Sequence, residues 1–183
     1  MYKYRDIWHI AYPILISLVM QTLINITDTA YMGRVGEIEL GATALVSVYY
    51  LTIYMAIFGF SVGAQIFIGR RNGEGSYTKI GDIVVQGILF LLGIAALFAL
   101  LSKWLSPKLL SAIVSSSQIY EACVDYLDWR IWGLLFSAVS VMCRAFFVGI
   151  TRTGVLMSNS IILTVSNVVF NYIFVFGALG VPA

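Results

Sequence analysis

Apolar stretches separated by short polar segments run along nearly the whole chain. A membrane-spanning helix needs about 20 mostly apolar residues, and five stretches meet that requirement. The five predicted spans cover residues 7–33, 42–69, 80–104, 122–150 and 155–177. This succession predicts an all-α integral membrane protein, whose partner over most of its surface is membrane lipid.

The segment between the third and fourth spans differs from the other connections. Residues 103–121 contain Ser106-Pro107, a pair that is typical of a helix start, followed by the apolar run LLSAIV. We therefore expect a short separate helix that lies flat at the outer membrane surface.

Polar side chains inside three of the spans are spaced so that they share one helical face. In the first span these residues are Ser17, Gln21, Asn25 and Asp28. In the second span they are Ser47, Tyr50, Tyr54, Ser61 and Gln65. In the fifth span they are Ser160, Thr164, Asn167 and Asn171. Such residues either hydrogen-bond across helix interfaces, at about 0.6 kcal/mol each, or line a polar cavity, and the pattern allows both.

Asp28 is the most informative residue, because it places a carboxylate inside a predicted span. An ionised carboxylate in hydrocarbon costs roughly 2.5 to 3.5 kcal/mol, so a membrane helix that keeps one generally uses it for an ion or a proton. We interpret Asp28 as such a site. The alternative is a structural partnership with Arg130 or Arg144 of the fourth span.

The expected chemistry at Asp28 is the binding of an ion, and the chain is not expected to be an enzyme. Asp28 could take up a proton, or it could hold Na⁺ together with neutral oxygen ligands, and the sequence permits both. The candidate neutral ligands are Gln21, Asn167 and Asn171. No group of His, Cys, Asp and Glu has the spacing of a metal enzyme, so we expect neither a cofactor nor another bound metal.

Composition and charge narrow the classes of function. Hydrophobic residues make up 60% of the chain and charged residues only 11%, well below the roughly 25% that is usual in soluble proteins. A formal net charge of +2, carried by scattered basic residues, argues against nucleic acid as a partner.

The lysines and arginines between the spans predict the orientation in the membrane. The side that includes the N-terminus carries more of them than the opposite side. The first side has Lys3, Arg5, Arg70, Arg71, Lys79 and Arg152, and the second has Arg34, Lys103 and Lys108. Since the cytoplasmic side usually holds the excess of positive charge, we expect the N-terminus in the cytoplasm.

Four segments of the chain resemble, in order and spacing, the multidrug and toxic compound extrusion (MATE) transporters. They are the pattern from Pro13 through Asp28 to MGR-G at 32–36, GFSVGAQIFIGRRNG at 59–73, RAFFVGITRTGVLM at 144–157 and N-x-x-x-N-Y at 167–172. The resemblance covers essentially the whole chain and implies a fold of twelve helices in two six-helix lobes. It also implies that an organic compound leaves in exchange for entering H⁺ or Na⁺.

The resemblance assigns roles to individual residues. It implies that Asp28 couples transport to the cation, with Gln21 as a polar neighbour. It implies that Asn167 and Asn171 belong to the same site, and that the first helix bends at Pro13, where the ring removes a backbone hydrogen bond. The other candidates line the cavity for a small organic substrate: Asn25, Tyr50, Tyr54, Ser61, Gln65 and Thr164. The aromatic side chains among them either stack on planar cations, at about 0.5 to 2 kcal/mol per contact, or pack the helix.

The chain departs from the family pattern in two ways. Some members carry aspartate at the position of Asn171, so this chain has one fewer carboxylate. The chain also stops at GALGVPA after five predicted spans, where the family continues with a sixth helix and a second lobe. We therefore expect residues 1–183 to form most of an amino-terminal lobe, whose missing partner is the carboxyl-terminal lobe of the same protein.

One main hypothesis and two alternatives follow. The main hypothesis is a cation-coupled antiporter that exports organic or drug-like compounds across the cytoplasmic membrane of a prokaryote. The first alternative is a flippase for lipid-linked precursors, which would use Arg130 and Arg144 to hold phosphates. The second is a membrane partner without transport activity, in which Asp28 could be lost without consequence.

Overall fold

A computed structural model describes residues 4–176, and these residues contain six α-helices and no strand. The helices are α1 (Tyr4–Val35), α2 (Glu37–Gly73), α3 (Tyr77–Ile113), α4 (Ser117–Arg130), α5 (Gly133–Gly149) and α6 (Gly154–Phe176). Four of them, α1, α2, α3 and α6, are long and apolar enough to cross a membrane, and α4 with α5 can form a fifth span. The predicted all-α integral membrane fold is confirmed.

The helices divide into two compact units. The first unit consists of α1 and α6, which come from opposite ends of the chain, and the second consists of α2 to α5. Residues 1–3 and 177–183 lie outside the described part, so Lys3, the last residue of the predicted span 155–177 and the GALGVPA segment do too.

In the first unit, α1 packs along α6. Pro13 lies inside α1 and cannot donate a backbone hydrogen bond. The hydroxyl of Ser17, one turn later, donates to the carbonyl of Pro13 at 2.9 Å. Thr164 of α6 donates to the carbonyl of Ser160 at 2.8 Å and also lies 3.4 Å from the carbonyl of Met20 on α1. These hydroxyls are therefore satisfied by backbone carbonyls of the helix pair.

In the second unit, α3 packs against α4 and α5, and it carries a buried stripe of mostly small residues. The buried residues of this stripe, three or four positions apart, are Leu91, Ala95, Ala99, Ser102, Ser106 and Leu110. Small residues let membrane helices approach closely. The hydroxyl of Ser102 lies 2.8 Å from that of Tyr49, which joins α3 to α2.

The separate surface helix predicted to begin at Ser106-Pro107 is wrong, because α3 continues to Ile113 with Pro107 in its interior. The buried stripe explains the difference, since Ser106 and Leu110 continue its spacing past the proline. The carbonyl of Pro107 also lies 3.5 Å from the hydroxyl of Tyr120 on α4. Packing against a neighbouring helix thus outweighs the helix-breaking tendency of proline.

The segment 122–150 contains a bend. Helices α4 and α5 meet at an angle of 50°, with Ile131 and Trp132 between them. At this break Leu134 and Leu135 donate to the carbonyls three residues earlier, at 3.1 and 3.3 Å, which tightens the turn. That this segment crosses the membrane as one span stays a prediction.

The turn between α2 and α3 is built around Glu74 and Gly75. Gly75 has a φ of 70°, a left-handed conformation that glycine adopts without strain. Glu74 accepts hydrogen bonds from Arg71 at 2.7 Å and from Arg70 at 3.0 Å. These bonds, with that of Arg71 first, lower the pKa of Glu74 below its ordinary value. The turn is therefore held by one carboxylate and two guanidinium groups.

The carboxyl-terminal end of α5 approaches α2 closely at Gly149. A Cβ atom at this position would lie 2.6 Å from Cγ2 of Ile68 and 3.2 Å from the carbonyl oxygen of Gln65. By contrast, a Cβ atom at Gly63 of α2 would meet nothing within 4 Å. Gly149 is thus required by the packing of the two helices, whereas Gly63 is not.

Candidate functional site

Asp28 lies on α1 and faces two amide side chains of α6 within the first unit. Its Oδ1 atom accepts a hydrogen bond from Nδ2 of Asn171 at 2.6 Å and another from Nδ2 of Asn167 at 3.0 Å. All three side chains are half-buried. The spacing of four residues on α6 puts both amides on one helical face, so both can reach the same carboxylate.

The two asparagines also contact each other. Nδ2 of Asn171 donates to Oδ1 of Asn167 at 3.3 Å, so the three side chains form a closed cluster. We call Asp28, Asn167 and Asn171 the carboxylate–amide cluster. Since it carries one negative charge and several oxygen atoms, its composition fits a monovalent cation or a proton.

Each occupant requires a specific change in the cluster. With Nδ2 atoms facing the carboxylate, the amides act as donors. A Na⁺ ion would need oxygen ligands, so one or both amides would turn to present Oδ1, which asparagine does by rotating about its last torsion. A proton on Asp28 would give the carboxyl one O–H donor while its other oxygen still accepts, and an amide oxygen of the cluster could accept from the new donor.

The remaining residues predicted on the α1 face are placed differently. Gln21 and Asn25 are exposed, and their side chains make no hydrogen bond to any described residue. Gln21 is two helical turns from Asp28, about 10 Å along the axis. The structure thus brings Asp28 together with Asn167 and Asn171, and it leaves Gln21 outside the cluster.

The polar stripe of α2 lies within the second unit. The hydroxyl of Tyr50 is 3.0 Å from that of Ser137 on α5. Ser61 is buried and donates to the carbonyl of Phe58 on its own helix at 2.7 Å. The rings of Tyr54 and Phe58 are stacked, with centroids 6.2 Å apart. Gln65 is half-buried, and its side chain makes no hydrogen bond to the described residues.

Two arginines lie against aromatic rings of this α2 stripe. The guanidinium carbon of Arg130 is 4.8 Å from the ring centroid of Tyr50, and Nη1 donates to the hydroxyl of Tyr126. Arg144 lies over the ring of Phe58 at 5.5 Å. Sequence reasoning did not identify Tyr126 as a partner of Arg130, although their separation of four residues on one helix was a signal.

Comparisons with known proteins agree with this architecture. The family model MatE matches residues 13–173. A probable multidrug resistance protein NorM from Idiomarina loihiensis is 27% identical over 93% of the chain and 37% of its own length. A second NorM, from Shewanella oneidensis, is 26% identical over 100% of the chain and 39% of its length. The multidrug resistance protein MdtK of Cronobacter sakazakii is 25% identical over 97% of the chain and 39% of its length.

Solved structures share the fold. A MOP superfamily transporter from Pyrococcus furiosus superposes with a TM-score of 0.88 at 19% identity, over 96% of this chain and 39% of the other. A structure described as the outward-facing conformation of a multidrug resistance MATE family transporter gives the same values. The chain thus spans less than two-fifths of the length of these relatives. Because the family model matches most of its residues, the chain belongs to the MatE family, the MATE transporters whose motifs it resembles.

Proposed function

We propose that the complete protein is a cation-coupled antiporter that exports organic compounds across the cytoplasmic membrane, with Asp28 as the coupling residue. The observation that carries the proposal is the carboxylate–amide cluster, in which Asp28, on a helix able to span a membrane, accepts hydrogen bonds from two neutral side chains of α6. The names of the NorM and MdtK relatives support export of drug-like compounds.

Coupling follows from the change in hydrogen bonding that an ion imposes. When Na⁺ binds at Asp28, one or both amides of Asn167 and Asn171 turn to present an oxygen, and when H⁺ binds, the carboxyl loses its charge and gains a donor. The two elements that carry these atoms, α1 and α6, are held together by the same hydrogen bonds. A change at the cluster therefore alters the pairing of two helices, and such a two-state element can link ion binding to alternating access.

Substrate contacts are proposed for the remaining polar and aromatic residues of the predicted set, in each unit by itself. These are Asn25, Tyr50, Tyr54, Ser61, Gln65 and Thr164. The stacked rings of Tyr54 and Phe58 provide a flat aromatic surface. Ser61 and Thr164 already donate to backbone carbonyls, so their hydroxyls would serve a substrate as acceptors.

The test uses the complete gene product in lipid vesicles. Export of a fluorescent organic compound, a rhodamine, is measured under an imposed H⁺ gradient or Na⁺ gradient, for the wild type and for Asp28→Asn. Asp82→Asn is the matched control, since it removes the same charge from an exposed position on α3. We expect Asp28→Asn to abolish gradient-driven export and Asp82→Asn to preserve it. The gradient that drives export identifies the coupling ion.

Survival of gradient-driven export in Asp28→Asn would contradict the coupling role and make the carboxylate structural. Absence of export in the wild type under either gradient would favour the other hypotheses. Among them, a flippase would still move a lipid-linked precursor, whereas a membrane partner without transport activity would not.

A further inference from the structure

Arg130 is held in a fixed position by aromatic side chains of the second unit. Its guanidinium lies 4.8 Å from the ring of Tyr50 and 5.4 Å from the ring of Tyr126, and Nη1 donates to the hydroxyl of Tyr126. Tyr50 is itself held by Ser137, at 3.0 Å. The position of the guanidinium is therefore set before any ligand binds, which reduces the entropy lost on binding.

The charge of Arg130 is not neutralised by any carboxylate in the described part of the chain. The ion pairs found there join Glu74 to Arg70 and Arg71. Nε of Arg130 is buried and has no hydrogen-bond partner among the residues that the structure describes. The carbonyl end of α4 compensates only part of the positive charge on Arg130, since a helix terminus carries about half an elementary charge. A positive charge in this setting is typical of a ligand pathway in a membrane protein.

A second guanidinium repeats the arrangement along the same stripe. Arg144 lies over the ring of Phe58 at 5.5 Å and has no carboxylate partner among residues 4–176. Tyr50 and Phe58 are eight residues apart, which is about 12 Å along α2. The ring of Tyr54 lies between them and stacks on Phe58. The stripe is thus a row of aromatic rings with one guanidinium near each end.

We propose that this row binds an amphipathic organic molecule through an acidic group, with the carboxylate or phosphate at Arg130 and the apolar part against Tyr54 and Phe58. Guanidinium matches such groups because two parallel N–H bonds can reach two oxygens. Nη2 of Arg130 makes no hydrogen bond to the described residues and is not buried, so it can take part. The proposal rests on the proposed export function and adds the substrate class: compounds that carry an acid group, from solution or from a lipid headgroup.

The test compares two probes that differ only in the acid group. One is a carboxylate-bearing rhodamine and the other is its methyl ester. Equilibrium binding of each is measured by fluorescence polarisation to the complete gene product in phosphatidylcholine vesicles. The variants are Arg130→Gln, Tyr126→Phe and the control Lys103→Gln. Lys103 also lies over an aromatic ring, but that ring is Trp132, at 5.5 Å, and not one of the rings of α2.

We expect Arg130→Gln to weaken binding of the acid about ten- to a hundredfold and to change binding of the ester by less than about twofold. Tyr126→Phe keeps the ring but removes the acceptor of Nη1, so it should weaken binding of the acid about fivefold. If Arg130→Gln lowers the yield of folded protein, Tyr126→Phe decides the question. Lys103→Gln should affect neither probe.

The source of the acid group is identified by adding phosphatidylglycerol to the vesicles. If that lipid displaces the acid probe from the wild type, its headgroup occupies the site, and if it does not, the ligand is a soluble compound. Wild-type protein that does not prefer the acid, or an Arg130→Gln variant that weakens both probes equally, would overturn the proposal. Binding is read without any gradient, so this result is independent of the Asp28 export test.

Discussion

At the scale of single residues, the carboxylate–amide cluster depends on three side chains from two helices. Their hydrogen bonds connect positions that are 139 and 143 residues apart in the sequence. The helical spacing of the polar residues is sufficient to predict that Asn167 and Asn171 share a face. It is not sufficient to show which side of α1 that face meets, because that depends on how the two helices pack.

Asn171→Leu should show how much the hydrogen bond from α6 to Asp28 contributes to the stability of the protein. It removes the shorter of the two amide contacts to the carboxylate, at 2.6 Å. A hydrogen bond to a charged group in a membrane helix contributes about 1 to 2 kcal/mol, so the thermal unfolding midpoint of the complete protein should fall. The measurement is a double-mutant cycle with Asp28→Leu.

Asn25→Leu is the control for this cycle, because Asn25 is exposed on the same face of α1 and makes no side-chain hydrogen bond to the described residues. A coupling energy between positions 28 and 171 no larger than that between 25 and 171 would show that the amide contact has no energetic role.

We expect the stability of the turn between α2 and α3 to depend on pH through Glu74. The hydrogen bonds from Arg71 and Arg70 lower its pKa in the folded protein, so it contributes stability above its unfolded pKa near 4.5. That contribution is lost as the pH falls through the lowered folded pKa. Glu74→Gln should therefore speed hydrogen exchange of the turn amides at pH 7, with a difference from the wild type that disappears as the pH falls through the lowered folded pKa.

The exchange experiment reads the amides of Gly75 and Ser76, which donate to the carbonyls of Asn72 and Arg71. Amides of the α3 interior serve as the reference. A difference between wild type and variant that stays constant over the whole pH range would contradict the role of the carboxylate.

At the scale of helices, replacing each of the two internal prolines is predicted to affect export differently. Pro13 lies in α1 fifteen residues before Asp28, and Pro107 lies in α3. Pro13→Ala restores a backbone donor and should stiffen α1, which carries the proposed coupling residue. We expect gradient-driven export to slow at least about threefold while equilibrium binding of the probe stays unchanged, as for a conformational step.

Pro107→Ala is the matched control for this change, because it also removes a proline from a helix interior but in the second unit. If both substitutions slow gradient-driven export equally, Pro13 has no specific role as a bending point.

The approach of α5 to α2 gives a prediction about packing. Gly149→Ala places a Cβ atom 2.6 Å from Cγ2 of Ile68, so one of the helices must move. Overpacking of this kind costs about 1 to 3 kcal/mol, and the thermal unfolding midpoint should fall. Gly63→Ala should leave it unchanged or raise it, since the added methyl group meets nothing and alanine favours the helix. Equal effects of the two substitutions would contradict the close approach.

Helices α1 to α3 and α6 also show which parts of the fold follow from the sequence. Long apolar runs and the spacing of Ser160, Thr164, Asn167 and Asn171 reflect local periodicity, and that periodicity predicts helices and their polar faces. The continuation of α3 through Pro107 depends on contacts with neighbouring helices. Such contacts lie far apart in the sequence, so no local pattern predicts them.

At the scale of the whole molecule, the orientation in the membrane is the main testable expectation. Ser76 and Ser116 are both N-cap residues whose side chains make no capping hydrogen bond, so cysteine should be tolerated at each. In a background without Cys123 and Cys143, a membrane-impermeant maleimide should label Ser116→Cys in intact cells. It should label Ser76→Cys only after lysis, because the excess of positive charge predicts that this turn lies in the cytoplasm. The reverse pattern would place the N-terminus outside.

The separation of α1 from α6 in the sequence has a consequence for the insertion of the protein into the membrane during its synthesis. Asp28 and Asn171 are 143 residues apart, and a ribosome adds about 5 to 20 residues each second. At that rate Asn171 is made about 7 to 30 s after Asp28. During this time the carboxylate faces lipid or the insertion machinery. During that interval α2 to α5 are made and can assemble, because they form a unit of their own. Helix α6 then supplies the amide partners of Asp28, so a nascent chain that stalls before α6 would leave this carboxylate without the hydrogen bonds of Asn167 and Asn171.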